Sequence, residues 1–217
     1  MKSKLLLLFG AVLCSLFPAV NPAFAQSLAF TTNTLVVGES PRSVVAADIN
    51  NDGKLDLICA NYAANTLTVL TNNGSGGFGS NATLTVGSGP SCVIAADING
   101  DGKLDLITAN STANTLTVLT NNGRGSFGSN ATLTVGSGPK CVVAADINND
   151  GKLDLICANF SAATLTVLTN NGRGGFGSNA TLNVSTGPGC IVAADVNGDG
   201  KLDLVCVSGG EMGPPPG

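Results

Sequence analysis

Beyond residue 40 the apolar residues of this chain fall into short runs, several of them alternating with polar positions, and the pattern recurs every 49 residues. Asp48, Asp97, Asp146 and Asp195 mark that step, and so do Pro41, Pro90, Pro139 and Pro188. A period near 40–50 residues suggests propeller blades or arrays. One copy contains four candidate strands: Cys92–Ala96, Leu104–Ile107, Thr115–Leu119 and Ala131–Val135. The last two alternate with period two. Asn121, Asn122 and Gly123 close the third as a hairpin signal, because Asn and Gly tolerate the positive φ that tight turns need. Past residue 25 no stretch has a helical period. The predicted fold is all-β: a β-propeller-like array of four-stranded antiparallel blades over residues 26–208, three full repeats plus partial ones. The first strand, small and apolar on both faces, is predicted at the crowded centre, and the Thr-rich faces of the third and fourth at the periphery. A β-solenoid is the alternative, although its rungs are usually much shorter than 49 residues.

The partial pieces carry their own expectation. Thr34 to Val37 matches a fourth strand, and Ile191–Ala194 with Leu202–Val207 matches a first and second. Where the other copies continue into a third strand, this one continues into Gly209, Gly210, Glu211 and Met212, and then Pro214 to Pro216. Proline cannot donate to a strand ladder. A closing blade would lack its third strand and leave unpaired edges, which recruit another chain. Self-association, or membership of a larger propeller, is expected. Residues 209–217 are expected to form a disordered tail.

Residues 1–25 have the pattern of a secretory signal: Lys2 and Lys4, an apolar run from Leu5 to Val20, and the small-residue cleavage site Ala23-Phe24-Ala25. Cleavage would start the mature chain at Gln26 and place it outside the cell, at the cell surface or in a periplasm. No later segment is apolar enough to span a membrane. Composition narrows the chemistry. The chain has no His and no Trp, which removes His-based nucleophilic catalysis and most catalytic zinc sites. Its ten Lys and Arg are spread thinly, so no basic stripe exists for nucleic acid. All 12 Asp lie in four short loops, and only Glu39 and Glu211 lie elsewhere. Charge clustered at a fixed period points to sites.

The loops set oxygen-bearing residues at positions 1, 3, 5 and 9, with the backbone carbonyl of a Lys at position 7. They are Asp48, Asn50, Asp52, Lys54, Asp56; Asp97, Asn99, Asp101, Lys103, Asp105; Asp146, Asn148, Asp150, Lys152, Asp154; and Asp195, Asn197, Asp199, Lys201, Asp203. Calcium takes 6–8 oxygen ligands, and Gly at position 6 permits the bend that wraps them around one ion. Three carboxylates and one amide bring a charge of −3 to each loop, suited to calcium, about one ion per loop. The Lys side chains are expected to point to solvent. An EF-hand needs a Glu at position 12 and flanking helices. Cys59, Thr108, Cys157 and Cys206 stand there instead. Four metal-free hairpin turns are the plainer alternative, but a turn needs only one or two such residues.

With Phe78-Gly79, Phe127-Gly128 and Phe176-Gly177, then Gly89-Pro90, Gly138-Pro139 and Gly187-Pro188, and then the Asp loops, the sequence from about residue 30 to 208 resembles FG-GAP (VCBS-type) repeats. The resemblance implies a calcium-stabilised β-propeller used in adhesion, recognition or carbohydrate binding, in which the metal stiffens the loop and is not a reaction centre. The family usually builds about seven blades, more than this chain holds. The expected partner is an extracellular protein or glycan. No acid/base pair lies outside the loops, so no enzyme is expected. The alternative is a lectin-like or substrate-targeting propeller serving an extracellular enzyme.

Six cysteines follow residue 25, in two columns: Cys92, Cys141 and Cys190 before the loops, and Cys59, Cys157 and Cys206 after them. Bridges Cys141–Cys157, Cys190–Cys206 and Cys59–Cys92 are predicted, against the alternative of free thiols serving as small buried apolar groups. Asn81, Asn130 and Asn179 begin N-glycosylation tripeptides, which matter only in a eukaryotic secretory route.

Overall fold

The computed structural model describes residues 3–11, 29–184 and 186–209, with side chains described from residue 32 onward except 80, 81, 129, 130, 178 and 179. The expected cleavage site Ala23-Phe24-Ala25, the tail from 210 and the side chains of the glycosylation residues Asn81, Asn130 and Asn179 lie outside that description. Among the described residues every regular element is a strand, and no helix is long and apolar enough to cross a membrane.

Strand β1 (Ser3–Ala11) pairs antiparallel with β2 (Ala29–Val37), Ser3 opposite Val37. Three four-stranded antiparallel meanders follow. The first blade is β3 (Pro41–Ala47), β4 (Asp56–Asn61), β5 (Thr66–Asn72) and β6 (Phe78–Thr85). The second is β7 (Pro90–Ala96), β8 (Asp105–Asn110), β9 (Thr115–Asn121) and β10 (Phe127–Thr134). The third is β11 (Pro139–Ala145), β12 (Asp154–Asn159), β13 (Thr164–Asn170) and β14 (Phe176–Asn183). A final pair, β15 (Pro188–Ala194) and β16 (Asp203–Ser208), stands where a fourth blade begins. The strand expected at 34–37 is longer than its pattern suggested and pairs with β1, which lies in the segment that cleavage after residue 25 would remove; β1–β2 and β15–β16 are separate sheets.

Blades bury one another face to face, and period-two alternation assigns each residue a side. In β4, Leu57 and Cys59 meet Leu35 and Val37 of β2, while Ile58 and Ala60 meet Val93 and Leu106 of the second blade. Between the second and third blades, Ile107 and Ala109 pack with Val142, Leu155 and Cys157. Between the third blade and the final pair, Ile156 and Ala158 pack with Ile191. Each fully buried Leu or Ile stabilises by roughly 1.5–3 kcal/mol. The deepest strand is the second of each blade, buried along its whole length in β4, β8 and β12. The first strand, expected at the crowded centre, does lie beside the first strands of the neighbouring blades, β3 with β7, β7 with β11 and β11 with β15, and is partly buried. It has one neighbour in its sheet, whereas the second has two and a blade over each face. Nor is the Thr face of the third strand peripheral: Thr68, Thr117 and Thr166 are buried, and their hydroxyls meet the amides of Asn61, Asn110 and Asn159 at 2.8–2.9 Å.

Register overturns the predicted disulfides, and the six described cysteines are free thiols. Cys157 lies opposite Val142, and Cys141 opposite Ala158, so the two thiols point to opposite faces of the blade. Likewise Cys206 lies opposite Ile191, and Cys190 opposite Val207. Cys59 faces β2 while Cys92 faces the third blade. In the two pairs within a blade, a spacing of 16 residues across the hairpin sets the members one position out of step.

Candidate metal loops

Each loop joins the first strand of a blade to the second, over residues 48–55, 97–104, 146–153 and 195–202. Two residues in every loop adopt left-handed backbone. Position 6 is Gly53, Gly102, Gly151 or Gly200, with φ between 78 and 82°. Position 4 is Asn51, Gly100, Asn149 or Gly198, with φ between 60 and 79°. Gly reaches this region without steric cost, and Asn tolerates it better than most residues. The alternation of Asn and Gly at position 4 was therefore a backbone signal.

These two reversals curl the loop so that its N–H groups point inward. Asp48 accepts from the Asp52 and Gly53 amides at 3.1 and 2.8 Å, and Asp97, Asp146 and Asp195 repeat this pattern. Asn50, Asn99, Asn148 and Asn197 accept from the amides of Asp52, Asp101, Asp150 and Asp199. Those Asp residues accept in turn from the amides of Lys54, Lys103, Lys152 and Lys201. Position 9 opens the second strand. Asp56, Asp105 and Asp154 are fully buried, and one oxygen of each accepts from Ile49, Ile98 or Ile147 N at 3.3 Å. The other accepts from Asn72, Asn121 or Asn170 N at 2.8–2.9 Å. One carboxylate thus ties the loop to the end of the third strand. In the final pair Asp203 accepts from Val196 N at 3.2 Å, and no third strand stands beside it among the described residues.

Two features were not legible from the motif. The Lys side chains do not simply point to solvent: Lys54, Lys103 and Lys152 reach Asp52, Asp101 and Asp150 at 3.3 Å. Their stems lie over Gly74, Gly123 and Gly172, where a Cβ would come within 2.7–2.8 Å of a Lys carbon. The charged ends stay within 3.3 Å because the stem, once laid on that glycine, returns to its own loop. The second feature is the Asn closing the third strand, which hairpin chemistry alone accounted for in the sequence. Asn121 Nδ2 donates to Ile49 O of the preceding blade at 2.7 Å, and Asn170 Nδ2 to Ile98 O at 2.6 Å. Each loop of the first two blades is therefore held by the next blade.

Burial holds the Asp56 and Asp105 carboxyls above their ordinary value against the backbone N–H bonds that lower them, and repulsion from Asp52 and Asp48, or Asp101 and Asp97, adds to the rise. In the same loops the positions 1 and 5 carboxylates are turned onto their own backbone amides. Among the described residues no three Asp, Glu, Cys or His side chains are gathered tightly enough to hold an ion as placed. The donor set nonetheless fits calcium in kind. Every side-chain donor is oxygen, Lys54 and its counterparts offer a carbonyl, and the mutual repulsion of the carboxylates is what a dication relieves.

A family model described as an FG-GAP-like repeat matches three overlapping stretches, residues 48–108, 97–157 and 146–206. No curated protein matches the chain. Several solved structures share its fold. A protein from Lactobacillus plantarum aligns with a TM-score of 0.59 at 18% identity, covering 85% of this chain and 62% of that one. A putative 6-phosphogluconolactonase from Bacteroides uniformis aligns with a TM-score of 0.59 at 15% identity, covering 86% and 50%. The periplasmic gluconolactonase of Pseudomonas aeruginosa aligns with a TM-score of 0.56 at 16% identity, covering 80% and 45%. At these identities the likeness concerns the fold, and this chain spans about half to three fifths of their lengths.

Proposed function

This chain belongs to the FG-GAP-like repeat family, and from that premise we propose that it is an exported, calcium-binding recognition module with no catalytic chemistry of its own. The observation that carries the reading is the recurrence of one loop, with one donor set and one internal bonding scheme, at the same junction of successive blades. Export is supported by the basic start, the apolar run and the small-residue site of the first 25 residues.

Asp48, Asn50, Asp52, Asp56 and the Lys54 carbonyl would hold one ion, and the matching residues of the other loops would hold theirs. Calcium, when bound, neutralises three clustered carboxylates and cross-links the two halves of the loop. The chain's own residues do the rest. Asp56 and its counterparts fasten the loop to the second and third strands, and Asn121 and Asn170 fasten it to the next blade. Calcium would stiffen an array of blades whose exposed surfaces meet an extracellular protein or glycan.

An ion that binds the folded loops and not the unfolded chain stabilises by mass action, about 2.7 kcal/mol per site at a hundredfold excess over Kd. Thermal unfolding in millimolar calcium is expected to have a higher midpoint than in chelator, and an unchanged midpoint refutes calcium binding. Asp101→Ala is expected to remove one site and leave the others, as counted by calorimetric titration. Glycan and matrix-protein arrays probed with and without calcium then identify the partner class.

A further inference from the structure

The column of residues five positions before each loop, Ser43, Cys92, Cys141 and Cys190, lies on the first strands of successive blades. Its side chains join one first strand to the next. Ser43 Oγ accepts from Val93 N at 3.1 Å, Cys92 Sγ meets Val142 O at 4.0 Å, and Cys141 Sγ stands 4.0 Å from Cys190 Sγ. Ser43 shows that a hydroxyl suffices for the blade-to-blade contact. The Cys92 and Cys141 thiols also interact, and the last two members bring their sulfurs to 4.0 Å with the outer one exposed.

We propose that Cys141 and Cys190 are an oxidation site, joined by a disulfide that ties the final strand pair to the third blade. Three observations meet there. The sulfurs are already in contact, and a disulfide of about 2.05 Å requires them to close by about 2 Å. The strands that carry them, β11 and β15, run within 8 Å of one another at their Cα atoms. The strand that must yield is β15, whose sheet has a single further strand, β16, so it is the least restrained first strand of the four. Hairpin register excludes the alternatives within a blade, because each places its two thiols on opposite faces.

The reaction is thiol–disulfide exchange with a small-molecule disulfide such as oxidised glutathione. Cys190 is exposed and Cys141 half-buried, so Cys190 is the first nucleophile. Its thiolate attacks one glutathione sulfur, forms a mixed disulfide and expels one glutathione thiolate. Cys141 thiolate then attacks Cys190 Sγ and expels the second. Two protein thiols are oxidised, one glutathione disulfide is reduced to two thiols, and the two protons released by the cysteines end on them. The two cysteines are 49 residues apart, and the bond closes a loop that contains β12, β13 and β14 of the third blade.

The full chain, reduced and then incubated with oxidised glutathione, tests this. Tryptic cleavage isolates Cys141 in residues 141–152 and Cys190 in residues 174–201, each as the sole cysteine of its peptide. Two thiols are expected to disappear from a dithionitrobenzoate titration in denaturant. Those two peptides are expected joined, within a chain that still migrates as a monomer on a non-reducing gel. The link is expected to vanish in Cys190→Ser and to persist in Cys157→Ser, and the urea midpoint of the oxidised wild type is expected above that of the reduced form. Undiminished thiols, a link from 141–152 to the Cys92 peptide, or a link between chains overturns the assignment. The peptide map is made on the wild type, so it stands whether or not either variant folds.

Discussion

Replacing Asn121 with alanine tests the bond that crosses from one blade to the next, because the half-buried Asn72 of the first blade makes the same within-blade bonds without it. Asn121 is 4% exposed. Its Nδ2 donates to Leu104 O within the blade at 2.9 Å and to Ile49 O across the boundary at 2.7 Å, and its Oδ1 accepts from Gly123 N at 2.9 Å. Asn72 occupies the same place in the first blade. It makes the Leu55 O and Gly74 N bonds at 3.0 and 2.8 Å, but the strand pair before it, β1 and β2, has no Asp loop to meet. Losing the within-blade bonds costs about 0.5–1.5 kcal/mol in Asn72→Ala. Asn121→Ala loses these and also strands a buried carbonyl without a donor, which adds about 1–3 kcal/mol. The assay is urea unfolding of both variants in chelator, which keeps calcium out of the comparison, with an unchanged m-value required before the midpoints are compared. Asn170→Ala is the replicate, since its Nδ2 reaches Ile98 O at 2.6 Å. Equal losses in Asn72→Ala and Asn121→Ala would refute the claim that the blades are fastened through this amide.

Gly87→Ala is expected to destabilise by about 1–3 kcal/mol, because a Cβ there would lie 2.6 Å from the buried Asn110 amide; thermal unfolding measures it, and a neutral result would mean the amide has room to move. Burial pushes the Cys59 thiol up to about 11 and the Cys157 thiol well above its ordinary value, so iodoacetamide at pH 8 is expected to modify Cys190 in the folded chain and these two only after unfolding. A thiol that ionises later when folded supports the fold fully below about 8.5 and loses that contribution as pH rises through the folded value. Stability is therefore expected to decline from about pH 8.5 toward 11, and less steeply in Cys59→Ala. The outer face of the final pair exposes Val192, Val205 and Val207, so light scattering is expected to show self-association that Val207→Lys reduces; a sharp monomer peak for the wild type would refute it.

The repeat, the strand count per blade and the ligand-type residues of the loops were determined by the sequence alone. Each depends on spacing between near neighbours: alternation sets faces, Asn and Gly set reversals, and a 49-residue period sets the unit. The tertiary structure decided everything that depends on which sheet lies against which. The second strand is deepest because a blade covers each of its faces. Cys141 and Cys157 are separated by one register position, which the turn length of the loop between β11 and β12 sets. Asn121 looked like a hairpin residue because its partner Ile49 lies 72 positions away. Local chemistry repeats along the chain and can be recognised there, whereas contacts between blades exist only once neighbouring copies are stacked, and with them the pairing of Cys141 with Cys190.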